Sequence, residues 1–259
     1  LILRTAGTNC DKETANAFES AGASTELVHI NKLSTGAESL DNYHILAIPG
    51  GFTYGDDVAS GKILANELKF AIEKDLEKFI KAGKLIIGIC NGFQVLVKAG
   101  LLPNLTGDFK TIEATLTLND SNKFEDRWVH LKGLRGKCIW TKGINKTITL
   151  PVAHGEGKFI PKDARTLRQL KNEGLIAFQY VDDNGKKANY PDNPNGAVEG
   201  IAGICDPTGR IFGLMPHPER HLSLYQHPEW TRRDPLKQNT EGDGLAIFRN
   251  GVNFAKKYL

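Results

Sequence analysis

Leu85-Ile86-Ile87-Gly88-Ile89-Cys90-Asn91-Gly92-Phe93-Gln94 is the stretch on which the fold turns. Leu85 to Ile89 is apolar apart from Gly88, a run that suits a strand buried on both faces, and such strands belong to parallel sheets covered by helices. Immediately afterwards Phe93, Leu96 and Val97 fall on one face of a helix that Gly100 ends. Cys90 therefore stands at a strand-to-helix corner.

Towards the N-terminus the same alternation repeats. Apolar positions Leu64, Leu68, Ile72, Leu76, Phe79 and Ile80 recur at helical spacing up to Gly83, which predicts one continuous helix. Before it lies a buried-strand run, Ile45 to Ile48, stopped by Pro49, Gly50 and Gly51. Further back, Thr25 to His29 reads as a strand, Lys12 to Ala21 as a helix ended by Gly22, and Leu1 to Leu3 as a strand. This is the order of βαβ units.

Towards the C-terminus the character changes. Ile112–Leu118, Trp128–Leu131, Cys138–Trp140, Thr147–Val152, Ile176–Tyr180, Gly200–Cys205 and Ile211–Met215 are short runs that predict a mostly β layer. Asp183-Asn184-Gly185 and Pro207-Thr208-Gly209 carry hairpin-turn chemistry. Gln226 to Asp243 is a polar stretch expected to be an ordered loop or insertion, and Leu245 to Tyr258 is a closing helix. No repeat or clean boundary divides residues 1–259, so the expectation is a single domain of α/β class. Its central sheet is mostly parallel, with helices on both faces and an added small β layer.

Composition narrows the function. The 259 residues are 40% hydrophobic and 24% charged, ordinary for a globular chain. Lys and Arg number 33 against 30 Asp and Glu, a net charge of +3, and the basic pairs are scattered, so no nucleic acid is expected as a partner. No apolar stretch reaches the roughly 20 residues of a spanning helix, so no membrane partner is expected either. Four cysteines, Cys10, Cys90, Cys138 and Cys205, lie far apart without a CxxC pair, which fits a reducing cytoplasm. The chain opens on Leu1 rather than Met, so one or more residues are expected to precede it.

Three segments carry candidate chemistry. The glycines two residues either side of Cys90 let a strained corner form and leave the sulfur open, and the helix start beside it favours thiolate. Most free cysteines are inert buried thiols, but the glycine corner favours a nucleophile here, with the Asn91 N–H placed to hold an oxyanion. In Met215-Pro216-His217-Pro218-Glu219-Arg220 each proline holds its predecessor extended, so Glu219 lies on the same side as His217 and can orient its imidazole as a base. A metal site of His217, Glu219 and His221 is discounted because Pro218 opposes the helix that zinc ligands at such spacing need.

The third segment is Pro49-Gly50-Gly51-Phe52-Thr53-Tyr54-Gly55-Asp56-Asp57, where adjacent glycines allow a second oxyanion N–H, that of Gly51. Asp56 and Asp57 read as N-cap and first-turn charge of the next helix rather than as a metal pair. His154 in His154-Gly155-Glu156-Gly157 is weak by itself and reads as a satisfied surface histidine. Cys10, Cys138 and Cys205 lack a glycine corner or a nearby histidine and read as structural. No nucleotide-binding glycine loop is present.

Gly88 to Gln94 (GICNGFQ) with Pro216 to Glu219 (PHPE) resembles the class I, or triad, glutamine amidotransferases. Within them, Pro49 to Asp57 (PGGFTYGDD), Gly7 to Thr14 (GTNCDKET) and Ala153 to Gly157 (AHGEG) resemble the glutaminase subunits of phosphoribosylformylglycinamidine synthase. The resemblance implies a flavodoxin-like architecture. It also implies that Cys90 attacks the side-chain amide of glutamine to form a thioester, with His217 shuttling the proton to ammonia and Glu219 orienting His217. Gly51 and Asn91 would bind the oxyanion, with Gln94, Gly50 and His154 completing the substrate-binding set, and no metal is implied. The implied partners are a synthetase subunit, which uses ATP and Mg to turn formylglycinamide ribonucleotide into the amidine, and a small bridging subunit. No cofactor would be bound by this chain.

Ala6 departs from the proline expected in the opening motif, and 119–128 and 222–239 look longer than in the compact form, which bears on docking. Alternatives are a glutaminase serving another synthetase, a peptidase or esterase of the same architecture, or a catalytically silent binding subunit.

Overall fold

The computed structural model describes residues 1–232 and 240–259. In the first half β1 (Ile2–Arg4), α1 (Asp11–Ser20), β2 (Leu27–His29), α2 (Ile30–Ser34) and β3 (Ile45–Ile48) are followed by α3 (Lys62–Ala71), α4 (Glu73–Lys81), β4 (Leu85–Ile89) and α5 (Asn91–Lys98). The second half runs β5 (Ala114–Thr117), β6 (Glu125–Gly133), β7 (Thr147–His154), β8 (Lys158–Pro161), α6 (Ala164–Asn172), β9 (Ile176–Val181), β10 (Ile201–Cys205), β11 (Ile211–Leu214) and α7 (Leu245–Tyr258).

The α/β architecture is the expected one. A nine-stranded sheet has the order β2-β1-β3-β4-β11-β10-β9-β6-β7, and β5 with β8 makes a separate two-stranded sheet, the small added layer. β4 lies between β3 and β11, parallel to both, and every one of its residues is buried. From β11 onward the pairs β11–β10, β10–β9, β9–β6 and β6–β7 are antiparallel. Most second-half strands thus extend the central sheet rather than standing apart from it. The edge strand β7 comes back towards the middle: the Pro151 carbonyl accepts the His217 N–H, 2.8 Å, just beyond β11. That return places residues from both halves around the C-terminal ends of β3, β4 and β11, where open parallel sheets bind ligands.

Three expectations are corrected. The helix read from Leu64 to Ile80 is two: Ile72 adopts φ −132°, ψ 21°, ending α3 and preceding α4. Ile72 stays buried, so the apolar period continues through the break, and Glu73 and Asp75 give α4 the acidic first turn that suits a fresh helix start. Cys138–Trp140 is a loop; its apolar character belongs to Trp140, which is wholly buried, donates Nε1–H to the Arg210 carbonyl at 2.9 Å and packs edge-on to Phe18. Asp56 and Asp57 do not start a helix, because α3 begins at Lys62 behind Gly61. β8 and α6 were missed in the sequence. Asp163 caps α6, its carboxylate accepting the Thr166 N–H at 2.7 Å, ahead of a stripe only Leu167 and Leu170 wide. The Gln226–Asp243 and 222–239 segments hold short 3₁₀ turns at Leu224–Gln226 and Trp230–Arg232; their 233–239 portion lies outside the described residues.

Candidate active site

Cys90 sits between β4 and α5 at φ 52°, ψ −105°, a conformation L-residues rarely adopt. Its N–H donates to the Leu214 carbonyl of β11 at 2.8 Å, and its carbonyl receives the N–H groups of Phe93 and Gln94. The flanking glycines explain how the corner closes. A Cβ on Gly88 would stand 2.5 Å from the Gly92 carbonyl oxygen, and one on Gly92 would stand 1.9 Å from the Ile48 carbonyl oxygen. Only hydrogen fits at either place. The sulfur is less open than expected: Cys90 is 5% exposed, and its thiol donates to the Ala153 carbonyl at 3.7 Å.

His217 follows β11 with extended backbone, and Glu219 lies in the 3₁₀ turn Pro218–Arg220, not in extended chain as the spacing had suggested. The pairing arises all the same, because the turn swings Glu219 back over the preceding ring. His217 Nδ1 is 2.6 Å from Glu219 Oε1, and the two residues are 2% and 1% exposed. Burial opposes the charged imidazole, but the charges of Glu219 and of neighbouring Cys90 hold its proton well above the usual histidine range. Nε2, the nitrogen that does not face Glu219, is buried without a hydrogen-bond partner among the described residues.

The Gly50–Asp57 loop is held from two sides. Across one face Thr8 forms an isolated bridge with Gly51, the Phe52 N–H donates to the Gly7 carbonyl at 2.9 Å, and the Cys10 N–H donates to the Gly50 carbonyl at 3.3 Å. Gly51 has φ 138°, and a Cβ there would stand 2.7 Å from the Gly7 carbonyl oxygen. On the other face Thr53 Oγ1 donates to Asn91 Oδ1 at 2.7 Å, while Asn91 Nδ2 donates to Gln94 Oε1 at 3.0 Å and to Asp56 Oδ1 at 3.3 Å. Gln94 Nε2 in turn donates to the Glu156 carbonyl. Both ends of the Gln94 amide are therefore taken by the chain itself.

His154 is not a surface residue but 2% exposed. Its Nδ1–H points at Asn119 Oδ1, 3.2 Å away, and its Nε2 faces Asn195 Nδ2 at 3.5 Å, which Tyr180 Oη also receives at 3.2 Å. Burial first, and the positive charge of His217 second, push His154 down to about 3, so the ring is neutral. Cys10, read as remote from any histidine, instead lies against His217 and Glu219 and receives a hydrogen bond from Arg220 Nη2 at 3.2 Å.

Cys90, His217, Glu219, Gly50, Gly51, Asn91, Gln94 and His154 thus gather at one place. The arrangement offers a thiol at a helix N-terminus, an imidazole to carry its proton, a carboxylate to fix that imidazole and backbone amides nearby, the parts of nucleophilic acyl transfer. Sequence reasoning missed Thr53, Asn119, Tyr180, Asn195, Cys10 and Arg220. Thr53 lies inside the quoted glycine-rich segment and Cys10 inside the opening motif, but nothing near Asn195 in sequence marks it.

A family model for the CobB/CobQ-like glutamine amidotransferase domain matches residues 1–255. The PurQ subunit of phosphoribosylformylglycinamidine synthase from Methanococcus maripaludis is 47% identical over 266 residues, covering 99% of this chain and 97% of that protein. The PurQ subunit from Dehalococcoides mccartyi is 48% identical over 259 residues, with 99% and 97% covered. A chain in the structure of PurLQS from Thermotoga maritima superposes with TM-score 0.72 at 29% identity, covering 98% of this chain and 96% of that one.

Proposed function

The chain belongs to the CobB/CobQ-like glutamine amidotransferase family, and we propose that it is the glutaminase subunit of phosphoribosylformylglycinamidine synthase. Glutamine is hydrolysed to glutamate and ammonia, and a synthetase subunit uses that ammonia with ATP to convert formylglycinamide ribonucleotide to its amidine in purine biosynthesis. Near-equal coverage of this chain and its PurQ relatives supports that reading. Residues 1–259 act as one amidotransferase domain in the cytoplasm, a setting in keeping with four free cysteines. Among the described residues no helix is long and apolar enough to cross a membrane.

In this reading the Cys90 thiolate attacks the Cδ of the glutamine side chain. Negative charge develops on the amide oxygen and is held by the N–H groups of Gly51 and Asn91. His217 gives its proton to the departing nitrogen, ammonia leaves and a γ-glutamyl thioester remains. Water, deprotonated by the now neutral His217, releases glutamate and returns the Cys90–His217 pair to its starting state. Glu219 keeps the imidazole oriented through both transfers. Gln94, Gly50 and His154 shape the substrate end of the site. A small bridging subunit joins the two larger ones, and ATP with Mg is bound by the synthetase, not by this chain.

The observation that carries the proposal is the Glu219–His217 contact at 2.6 Å beside a cysteine on a glycine-flanked corner. Ammonia release from glutamine tests it, measured with the chain alone and mixed with the synthetase and bridging subunits, native and Cys90→Ala in parallel. Release that rises on assembly and is lost with Cys90→Ala is expected. Undiminished release by Cys90→Ala would refute the assignment.

A further inference from the structure

Cys10 adds a third donor to the His217–Glu219 pair. Its Sγ, a ring nitrogen of His217 and a carboxylate oxygen of Glu219 all lie within 4.8 Å of one another, and the three residues are buried. They arrive from distant parts of the chain: Cys10 from the start of α1, the others from the turn after β11. Gly50 lets them meet, since a Cβ there would stand 2.8 Å from His217 Cε1 and 3.2 Å from Cys10 Sγ. Two polar atoms of the set, His217 Nε2 and Glu219 Oε2, are buried with no hydrogen-bond partner among the described residues. The charges around it are mixed. Arg220 Nη2 lies 3.2 Å from Cys10 Sγ and 3.0 Å from Glu13 Oε1, so Glu13 offsets the guanidinium, while the Cys10 S–H rests on Asn9 Oδ1 at 3.2 Å.

We propose that Cys10, His217 and Glu219 form a binding site for one thiophilic divalent cation of the Zn²⁺ type, and that the bound ion switches glutamine hydrolysis off. One sulfur, one imidazole nitrogen and one carboxylate oxygen are a donor set that suits Zn²⁺ or Co²⁺ and excludes Mg²⁺ and Ca²⁺ by preference. Three protein donors leave a fourth position for water. Binding takes the Cys10 sulfur as thiolate, so its thiol proton is displaced by the ion. With His217 and Glu219 engaged, no base remains for Cys90. The switching half rests on the proposed function; the binding half does not.

The test uses the full chain as Cys90→Ala, which removes the competing thiol, titrated with Co²⁺ and Zn²⁺. Expected are one ion per chain, a sulfur-to-cobalt charge-transfer band, and at least about tenfold weaker Zn²⁺ binding when Cys10→Ser is added. Cys138→Ser, which removes another buried thiol, should leave band and affinity in place and guards against a general loss of folding. Glu219→Gln, in which the acceptor becomes an amide, should also weaken binding. Absence of the band in Cys90→Ala, or Zn²⁺ affinity indifferent to Cys10→Ser, overturns the site. In the assembled, otherwise native complex, Zn²⁺ should suppress ammonia release and a chelator restore it, with Cys10→Ser requiring at least about tenfold more Zn²⁺ for the same suppression. Zn²⁺ bound at Cys10 without suppression overturns the switch alone, whereas a complex that never releases ammonia counts against the proposed function and leaves the binding result to stand.

Discussion

The Thr53 hydroxyl donates to Asn91 Oδ1 across 2.7 Å, joining the loop after β3 to the first residue of α5. The two proposed oxyanion donors, Gly51 and Asn91, belong to these two segments, so this side-chain contact sets their relative position. A partner that moves the Gly50–Asp57 loop has to move it against this tie. Asn91→Ala keeps the backbone N–H and removes the tie, together with the bonds to Gln94 and Asp56. We expect kcat for glutamine hydrolysis in the assembled complex to fall about 10- to 100-fold, with KM changed far less. Steady-state ammonia release measures both, and an unchanged kcat would show that the tie does not position the donors.

Gly51→Ala attacks the same donor from the other side. At φ 138° the new Cβ would stand 2.7 Å from the Gly7 carbonyl oxygen and 2.8 Å from the Asn9 nitrogen, both backbone atoms that cannot swing aside. The loop must shift, taking its N–H with it. Loss of one oxyanion donor costs about 10²- to 10³-fold in kcat, and that is the expected fall. Covalent labelling of Cys90 by a small alkylating agent, which needs no oxyanion pocket, should persist and separates a misplaced donor from an unfolded chain.

Much of this site was legible because its chemistry is local. The glycines around Cys90 act on the corner they flank, and Glu219 reaches His217 within one turn of chain. The tie from Asp56 to Asn91 was not legible, since the same aspartate before a helix reads as a cap until α3 is seen to start at Lys62. Cys10 beside His217 was beyond reach for a topological reason: β1 and β11 lie on either side of β3 and β4, and no spacing in sequence encodes that adjacency. The cage of Asn119 and Asn195 around His154 is of the same kind, built from two loops with unremarkable composition. Ile72 shows the converse. Its apolar period runs on through the backbone break, because burial fixes the side chain's face and leaves the helix free to restart.

Glu219→Gln tests the charge rather than the shape of the His217 partner. Without Glu219, burial is opposed only by Cys90 and Cys10, so the proton affinity of the ring should drop and the wrong tautomer become accessible. Glutamine hydrolysis at neutral pH is expected to fall about 10²- to 10⁴-fold. The folded-state pKa of His217 lies above its unfolded value, so the pair stabilises the fold fully below about pH 6.5 and the contribution is lost as pH rises through the folded value. The drop in melting temperature of the native chain on the alkaline side should therefore be shallower in Glu219→Gln. Parallel melting curves in both proteins would expose the contrary result.

His154 gives the opposite sign. Its folded-state pKa is pushed down to about 3, chiefly by burial, against an unfolded value of 6.5. Between those values the unfolded chain holds a proton that the folded chain does not, so stability rises with pH across this window and is lost on acidification. A shift of this size corresponds to roughly 4 to 5 kcal/mol between the ends of the window. His154→Gln keeps a side chain able to face Asn119 and Asn195 but cannot take up the proton. It should lower stability at pH 7, through imperfect packing in the cage, while flattening the acid limb of stability against pH. Urea unfolding at a series of pH values from 7 down to about 4 measures that limb. Parallel acid limbs in the native and His154→Gln chains would place the acid sensitivity elsewhere.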